Sequence, residues 1–493
     1  MNRIIDHKYF LFFVILTAIV LRLINLNQSL WLDETIGALV VRERGFWDIL
    51  VNFSKGDNHP PLYYLALDIW SNIFGYKEIA LRSLSLLFSI GSIWFTYLIT
   101  KFMFEKENKY LAKITAVLLA VSPFHIYYSQ EARMYMMASF VAVVLIYSYL
   151  KITSKTTVQN TRLWWIVYSL STVAIIFTDY MPVFLIPVFF IHALCKRMGI
   201  KWWREFISAY IPSVLMGILW LPNFIVQLRG GRWLIETLPE WQKLSGGATL
   251  KQATLVWIKF TIGRISFNDK IFYYSLIVLV SLPLLFLFIK AIKRYKEILL
   301  IWLWLVVPLL AGFLTSVIFP AFIYFRYVYV YPAFCIIVAY SITSISKKTL
   351  RNVMLILVFL INISFTLVYY FDRNQQRENW KGAIAFVEDN AKENEIMLFT
   401  NTEPFAPVRY YSKGKVKSFG ATDSINADAL KTKLKTSDIV SGVTGIYYFE
   451  YLNDLHDPDG YVKNTIESLK YTKIRVDPGF IGVGGITYYV LNL

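Results

Sequence analysis

Two adjacent carboxylates, Asp33 and Glu34, follow the first long apolar segment of the chain. A carboxylate at a membrane surface can act as a general base, taking the proton from an acceptor hydroxyl or amine while its neighbour orients that acceptor. By itself the dipeptide is more typical of a solvated loop or a helix N-cap. We predict Asp33 and Glu34 as the catalytic pair and keep the cap as the alternative.

Four basic side chains have the chemistry to bind a phosphate or pyrophosphate, because arginine offers planar paired donors and histidine supplies another. Arg82 or Arg326 alone could merely extend from a helix end to the membrane surface. Four basic groups predicted on the side of the carboxylates favour a site for a donor phosphate. They are His59, Arg82, Arg133 and Arg326.

Tyrosines and one further acid accompany these groups along the chain. Aromatic side chains can form the walls of a sugar or isoprenoid site, but Trp and Tyr also line bilayer interfaces without a catalytic role. A metal site built from Asp33, Asp57 and His59 is a lesser alternative, because no spacing matches a known ligand pattern. The predicted substrate-lining residues are Tyr63, Tyr128, Tyr135, Tyr327 and Asp179.

The composition restricts the class of protein that can position these groups. The chain of 493 residues is 56% hydrophobic and 17% aromatic, with a mean hydropathy of +0.49, which excludes a soluble globule. Its formal charge of +17 comes from Lys and Arg clusters between apolar runs, as topology signals do, so no nucleic-acid partner is expected. Cys195 and Cys335 lie in apolar runs and imply no disulfide framework.

The apolar runs predict an α-helical polytopic membrane protein with about eleven transmembrane helices. Residues 61–74 are left at the interface or re-entrant, because this stretch is short and carries Asp68. With that choice every strongly basic short loop lies in the cytoplasm. The predicted spans are 9–24, 79–104, 110–124, 131–151, 162–179, 181–195, 205–226, 271–291, 297–319, 323–343 and 350–371.

Two domains follow from this topology. Residues 1–371 form the transmembrane domain, with a first external loop at 25–78 that carries interfacial helices, and residues 372–493 form a small extracytoplasmic α/β domain. In the second domain we predict strands and helices in alternation. The strands are 396–400, 445–449 and 485–491, and the helices are 380–390, 427–435 and 462–469.

Five motifs occur in order over about residues 29–332. Together they resemble the superfamily of protein mannosyltransferases and aminoarabinose transferases, which are C-fold glycosyltransferases (families 39 and 83) that take a sugar from a polyprenyl phosphate. A sixth stretch, 379–383 (NWKGA), is similar to many uncharacterised bacterial and archaeal members. The five motifs are 31–34 (WLDE), 57–64 (DNHPPLYY), 80–85 (ALRSLS), 122–123 (SP) with 131–135 (EARMY), and 326–327 (RY) with Pro332.

The resemblance implies roles for four of these residues. Asp33 matches the catalytic Asp of the family and Glu34 its Glu partner, whereas His59 stands where the family has His or Lys beside the donor phosphate. Arg82 matches the Arg of an Arg-Leu-x-Ser-Ala pattern, although the sequence after it departs from that pattern. The chain has no insertion of sugar-binding repeats, which argues against a protein mannosyltransferase of the eukaryotic type.

We therefore expect an inverting hexosyl or pentosyl transferase of the cytoplasmic membrane, with its active site outside. Its partners would be a polyprenyl-phosphate sugar donor, an extracytoplasmic lipid, glycan or protein acceptor, and membrane lipid. No cofactor is required in this scheme. The main alternative is a transporter or flippase of anionic lipids, which should place ionisable residues near the membrane midplane. A non-catalytic scaffold would leave the alignment of Asp33, His59 and Arg82 unexplained.

Overall fold

The computed structural model describes residues 8–106, 108–154, 161–237, 246–400, 406–421 and 442–492. The chain divides into two units. The helical unit comprises Met1–Leu26, Phe46–Leu228 and Ser245–Gln375. The sheet unit comprises Asn27–Gly45, Arg229–Leu244 and Gln376–Leu493, so it contains the predicted catalytic pair in addition to the C-terminal part of the chain.

Before the C-terminal region the described residues form sixteen longer helices, and all except the second lie wholly or largely in the helical unit. They are α1 Phe10–Leu23, α2 Leu32–Glu43, α3 Leu62–Phe74, α4 Glu78–Phe104, α5 Leu111–Val121, α6 Pro123–Ser129, α7 Tyr135–Thr153, α8 Thr161–Thr178, α9 Ile186–Cys195, α10 Ile200–Ser208, α11 Ile211–Thr237, α12 Leu250–Ile262, α13 Lys270–Ile292, α14 Leu299–Thr315, α15 Tyr331–Thr343 and α16 Lys348–Phe371.

Eight helical segments in the described residues are long and apolar enough to cross a membrane, and the bent pair α5 and α6 makes nine if it counts as one span. The remaining two predicted spans correspond to shorter apolar helices, α1 and Met181–Cys195. Helix α3 has 13 residues and is not among the candidate spans. The polytopic helical architecture is confirmed, and the number of eleven spans stays a prediction.

The topology can be tested with reporters fused after the basic loops. We expect cytoplasmic signals at five positions and an external signal after Asp372, because Lys and Arg collect on the cytoplasmic side. An external signal at Lys109 would contradict this topology, since residues 61–74 would then have to cross the membrane. The cytoplasmic positions are Lys109, Lys155, Lys201, Lys296 and Lys348, of which Lys155 lies outside the described residues.

A buried arginine stabilises the bend of 59° between α5 and α6. Pro123 begins α6 and cannot donate to the preceding turn, so carbonyls of α5 need other partners. The guanidinium of Arg22 donates to Leu119 O at 3.2 Å and Ala120 O at 2.9 Å. It also contacts Nδ1 of His125 at 2.8 Å. These bonds fix the bend and thereby the residues that follow α6.

The sheet unit contains a five-stranded sheet in the order β2-β1-β3-β5-β4. Strand β1 is parallel to β2 and β3, whereas β5 is antiparallel to β3 and β4. In the described residues three helices of six or more residues accompany the strands, besides the short helix Asn453–His456. The elements are α17 Trp380–Asn390, β1 Glu395–Phe399, α18 Ala406–Tyr411, β2 Lys417–Gly420, β3 Gly445–Phe449, α19 Tyr461–Ser468, β4 Tyr471–Phe480 and β5 Gly484–Leu491.

The central strands β1 and β3 are buried throughout because the sheet is covered on both faces. Successive side chains of β1 enter different cores: Met397 and Phe399 pack with Trp380 of α17, and Ile396 and Leu398 pack with α19. The predicted α/β character is confirmed. Strands β2 and β4 were not predicted, and the predicted helix at 427–435 lies outside the described residues.

Candidate active site

The first turn of α2 carries both predicted catalytic carboxylates. Trp31 has an extended backbone and directly precedes the helix, and its N–H donates to Glu34 Oε2 at 3.3 Å. This bond is one half of a capping box, in which an acidic side chain satisfies a donor at the helix start. Glu34 is fully buried, whereas Asp33 is partly exposed. The alternative that made Asp33 the N-cap is wrong, because Trp31 occupies that position and Glu34 makes the cap hydrogen bond. Asp33 is the more exposed carboxylate of the two.

In the helical unit, Asp57 and His59 form a pair in the turn before α3. Asp57 Oδ2 accepts the backbone N–H and the ring Nδ1 of His59, each at 3.3 Å. Burial acts to raise the pKa of the Asp57 carboxyl, but the charge and hydrogen bond of His59 and the charge of Arg133 together hold that pKa below its usual value. Two separate motifs, one with Asp57 and His59 and the other with Arg133, are thus brought within electrostatic reach of each other.

Two arginines of the predicted phosphate site are buried. Nη1 of Arg133 donates to the hydroxyl of Tyr64 at 3.0 Å, and the Arg133 side chain is 5% exposed. The ring of Tyr64 lies 6.0 Å from that of Tyr63. Arg82 is fully buried, and its Nη1 donates to Leu26 O at 3.0 Å. Both guanidiniums are therefore held in fixed positions by acceptors of the helical unit.

The remaining substrate-lining residues form two pairs. The rings of Tyr128 and Tyr135 meet edge to face at 5.5 Å. Asp179 Oδ1 accepts the N–H of Met181 at 3.5 Å, and the hydroxyl of Tyr327 contacts Sδ of the same Met181 at 3.8 Å. Tyr128, Tyr135, Asp179 and Tyr327 are all buried, while the neighbouring Arg326 is partly buried.

Gln227 is a residue of this region that the sequence did not single out. Its Nε2 donates to Ser54 O at 2.5 Å and to His59 O at 3.2 Å. Its Oε1 accepts the hydroxyl of Tyr180, which in turn accepts the indole N–H of Trp220 at 2.9 Å. Gln227 therefore fixes the backbone of His59. A lone glutamine outside any motif carries no sequence signal for this role.

The residues at Asp57 and His59 fit a metal ion poorly. Together they supply two ligand groups, fewer than the three or four protein ligands usual for zinc. In the part of the chain that the structure describes, no group of three or more His, Cys, Asp or Glu side chains is placed to hold a metal ion. The absence of a required cofactor stays a prediction, and no chemical step here is assigned to a metal.

The charge of Asp57 should make the stability of the folded protein depend on pH. Asp57→Asn keeps the shape of the side chain but not its charge. At pH 7 we expect a loss of about 1 kcal/mol of stability, less than the roughly 1.5–3 kcal/mol of other hydrogen bonds to charged groups, because Asp57 and His59 are both partly exposed. Because the pKa of folded Asp57 is depressed, this contribution is complete above about pH 4 and is lost as the pH falls further. Thermal unfolding of both proteins between pH 7 and 3 measures the difference.

The control is Glu105→Gln, which changes a carboxylate whose side chain is 57% exposed and paired with Lys101. Exposed pairs contribute about 0–1 kcal/mol, so this variant should unfold close to wild type at every pH. If wild type and Asp57→Asn differ in unfolding temperature by the same amount at pH 7 and at pH 3, the Asp57 charge does not stabilise the fold.

Comparison with known proteins gives one family match, which covers part of the chain. A family model described as dolichyl-phosphate-mannose-protein mannosyltransferase matches residues 58–225, which include His59, Arg82, Arg133 and Asp179. The comparison with curated proteins finds no match. The resemblance to the C-fold glycosyltransferases that use polyprenyl phosphates is confirmed by this match and by the solved structures described next.

Among solved structures, ArnT from Cupriavidus metallidurans is similar over 97% of both chains. The TM-score is 0.56 at 13% identity for its apo state and 0.58 at 14% identity for ArnT bound to undecaprenyl phosphate. The apo oligosaccharyltransferase of Archaeoglobus fulgidus has a TM-score of 0.52 at 11% identity, over 90% of this chain and 70% of its own. At these identities the likeness shows the fold, which is that of the C-fold glycosyltransferases.

Proposed function

We propose that the protein transfers a monosaccharide, a hexose or pentose, from a polyprenyl-phosphate carrier to an acceptor hydroxyl or amine. The observation that carries the proposal is the cluster of Asp57, His59 and Arg133, of which His59 and Arg133 lie inside the stretch that the mannosyltransferase family model matches. A protein of the same fold binds undecaprenyl phosphate. The acceptor would be a lipid, a glycan or a protein.

In the proposed reaction Asp33 takes the proton from the acceptor. The acceptor oxygen or nitrogen attacks the anomeric carbon on the face opposite the phosphate, and the bond from that carbon to the phosphate oxygen breaks. The electron pair of the broken bond leaves with the polyprenyl phosphate, so the configuration at the anomeric carbon inverts. Arg133, Arg82, Arg326 and His59 are assigned to the leaving phosphate, because preorganised cations act most strongly where negative charge develops.

We further propose that the protein lies in the cytoplasmic membrane and presents Asp33 and the sheet unit to the extracytoplasmic side. The basic loops between the predicted spans support this orientation. The active-site carboxylate and the C-terminal domain then share a compartment with the acceptor. Tyr63, Tyr128, Tyr135, Tyr327 and Asp179 are assigned to the walls that contact the donor.

The test begins with the donor. A lipid extract of a deletion strain should accumulate one polyprenyl-phosphate sugar, and that purified lipid should lose its sugar when incubated with wild-type protein in detergent and an extract containing acceptors. The transporter alternative predicts a different outcome: the lipid remains intact in detergent, and the reconstituted protein moves it across vesicle membranes. Intact donor in every incubation would overturn the transferase proposal.

A further inference from the structure

The segment that leads into α2 is tied to the C-terminal part of the sheet unit by a row of hydrogen bonds. The N–H of Arg377 donates to Gln28 Oε1 and that of Lys381 donates to Ser29 Oγ, both at 3.1 Å. In the opposite direction, the N–H of Leu30 donates to the hydroxyl of Tyr411 at 2.7 Å. Residues on both sides of the bonds lie in the same unit.

Glu378 holds the helix start itself. Its Oε2 accepts the N–H of Leu32 at 3.3 Å and the indole N–H of Trp380 at 2.7 Å. Its Oε1 accepts the hydroxyl of Tyr451 at 3.1 Å. The first N–H groups of a helix have no partner within the helix, so Glu378 supplies an acceptor that α2 lacks. Trp380 is fully buried and Tyr451 is 7% exposed, which fixes the carboxylate between rigid rings.

The space around Glu378 is close-fitting. Gly482 has a φ of +70°, and a Cβ at that position would come within 2.7 Å of Glu378 Cγ. Only glycine combines this backbone conformation with so near an approach. The turn before β5 therefore packs closely against Glu378 and limits the movement of its side chain.

Tyr451 links this carboxylate to Asp33. Burial and the negative charges of Glu378 and Asp33 raise the pKa of the Tyr451 hydroxyl, so Asp33 lies within electrostatic range of that hydroxyl. Leu32, whose N–H Glu378 binds, is the immediate neighbour of Asp33 in the chain. The backbone before Asp33 and the surroundings of its side chain thus both depend on the same pair of residues.

We propose that Glu378 is a positioning residue, through which the C-terminal part of the sheet unit fixes the first turn of α2 and thereby Asp33. The proposal rests on the proposed function, in which Asp33 accepts the proton of the acceptor. A general base must lie within hydrogen-bond reach of that proton, and a displacement of about 1 Å can lower a rate about a hundredfold. The domain then has a role in catalysis without touching the reacting atoms.

Three variants test the role of Glu378. Glu378→Ala removes all three acceptor contacts, whereas Glu378→Gln can keep them, because its carbonyl accepts two donors and its amide can donate to the Tyr451 oxygen. The matched control is Glu388→Ala, which removes a buried carboxylate of α17 that accepts the Ser412 hydroxyl at 2.7 Å and the Lys413 N–H at 2.9 Å. None of these Glu388 contacts involves α2.

Hydrogen exchange gives a readout that needs no donor. In the full-length protein, amides of the peptide covering residues 28–43 should exchange about tenfold faster in Glu378→Ala than in wild type, because a buried hydrogen bond is lost. The same peptide should exchange at the wild-type rate in Glu388→Ala and close to it in Glu378→Gln. Unchanged exchange in Glu378→Ala would overturn the proposal.

Sugar transfer from the lipid accumulated in the deletion strain gives the second readout. We expect kcat to fall about 10- to 100-fold in Glu378→Ala with the donor KM within about twofold of wild type. Glu378→Gln should recover most of the rate, and Glu388→Ala should keep it even where it unfolds at a lower temperature. A normal kcat in folded Glu378→Ala would overturn the positioning role. If wild type itself transfers no sugar, the proposed function fails, and hydrogen exchange alone decides whether Glu378 holds α2.

Discussion

Asp33→Asn should lower kcat for sugar transfer by about 10²- to 10⁴-fold, the usual contribution of general-base catalysis. Asparagine keeps the shape of the side chain and cannot accept the proton. The variant should still fold and bind the lipid donor, because Asp33 is partly exposed and opens no cavity when replaced. Transfer by detergent-purified protein from the accumulated polyprenyl-phosphate sugar, alongside thermal unfolding of the same samples, measures both quantities.

Glu34→Gln is the matched control for Asp33→Asn. Glutamine retains a carbonyl that can accept the Trp31 N–H, so the cap of α2 remains and the loss of rate should be much smaller. If Glu34→Gln lowers the rate more than Asp33→Asn does, the roles of the two carboxylates are exchanged. Equal rates for wild type and folded Asp33→Asn would remove Asp33 from the mechanism.

Arg133→Ala should lower kcat/KM for the lipid donor about 10- to 100-fold. A charge-assisted hydrogen bond contributes about 1.5–3 kcal/mol, and each 1.4 kcal/mol corresponds to a factor of ten. Arg133→Lys should restore part of the loss, because lysine keeps the charge but not the planar pair of donors. Initial rates over a range of donor concentrations give the ratio.

Two further variants separate the phosphate contact from effects on folding. Tyr64→Phe removes the hydroxyl that Arg133 Nη1 binds and leaves the cation in place, so its loss should be smaller than that of Arg133→Ala. Arg373→Ala changes an exposed arginine and should have the wild-type kcat/KM. If Arg133→Ala uses donor as efficiently as Arg373→Ala, Arg133 is not a phosphate ligand.

The helical architecture could be predicted because each span is a continuous apolar run, and the central strands β1 and β3 because they are buried on both faces. Strand β4 could not, because Asp477, Pro478 and Gly479 lie within it and these residues are disfavoured in strands. It is the end strand of the sheet, paired on one side with β5, where proline and irregular pairing are tolerated.

In the candidate site, too, some contacts could be predicted from the sequence and others could not. Asp57 and His59 are neighbours in one motif, so their contact was accessible to sequence reasoning. Gln227 and Glu378 act on backbone groups far away in the chain, and a contact of that kind leaves no pattern of residue types. Arg22 lies in an apolar run, where its function depends on the carbonyls exposed by a bend that the sequence did not predict. The roles of Gln227, Glu378 and Arg22 can therefore be recognised only from the three-dimensional structure.

The hydrogen bond between Leu32 and Glu378 joins residues separated by 346 positions. At a synthesis rate of 5–20 residues per second, Glu378 is made roughly 20–70 s after Leu32. During this interval α2 has none of the acceptors that the C-terminal region supplies. A chain that stops before Gln376 would therefore contain every motif of the superfamily resemblance up to Pro332 and still lack the support for Asp33. If Asp33 is the base, as proposed, it reaches its final position only after the C-terminal region has been made.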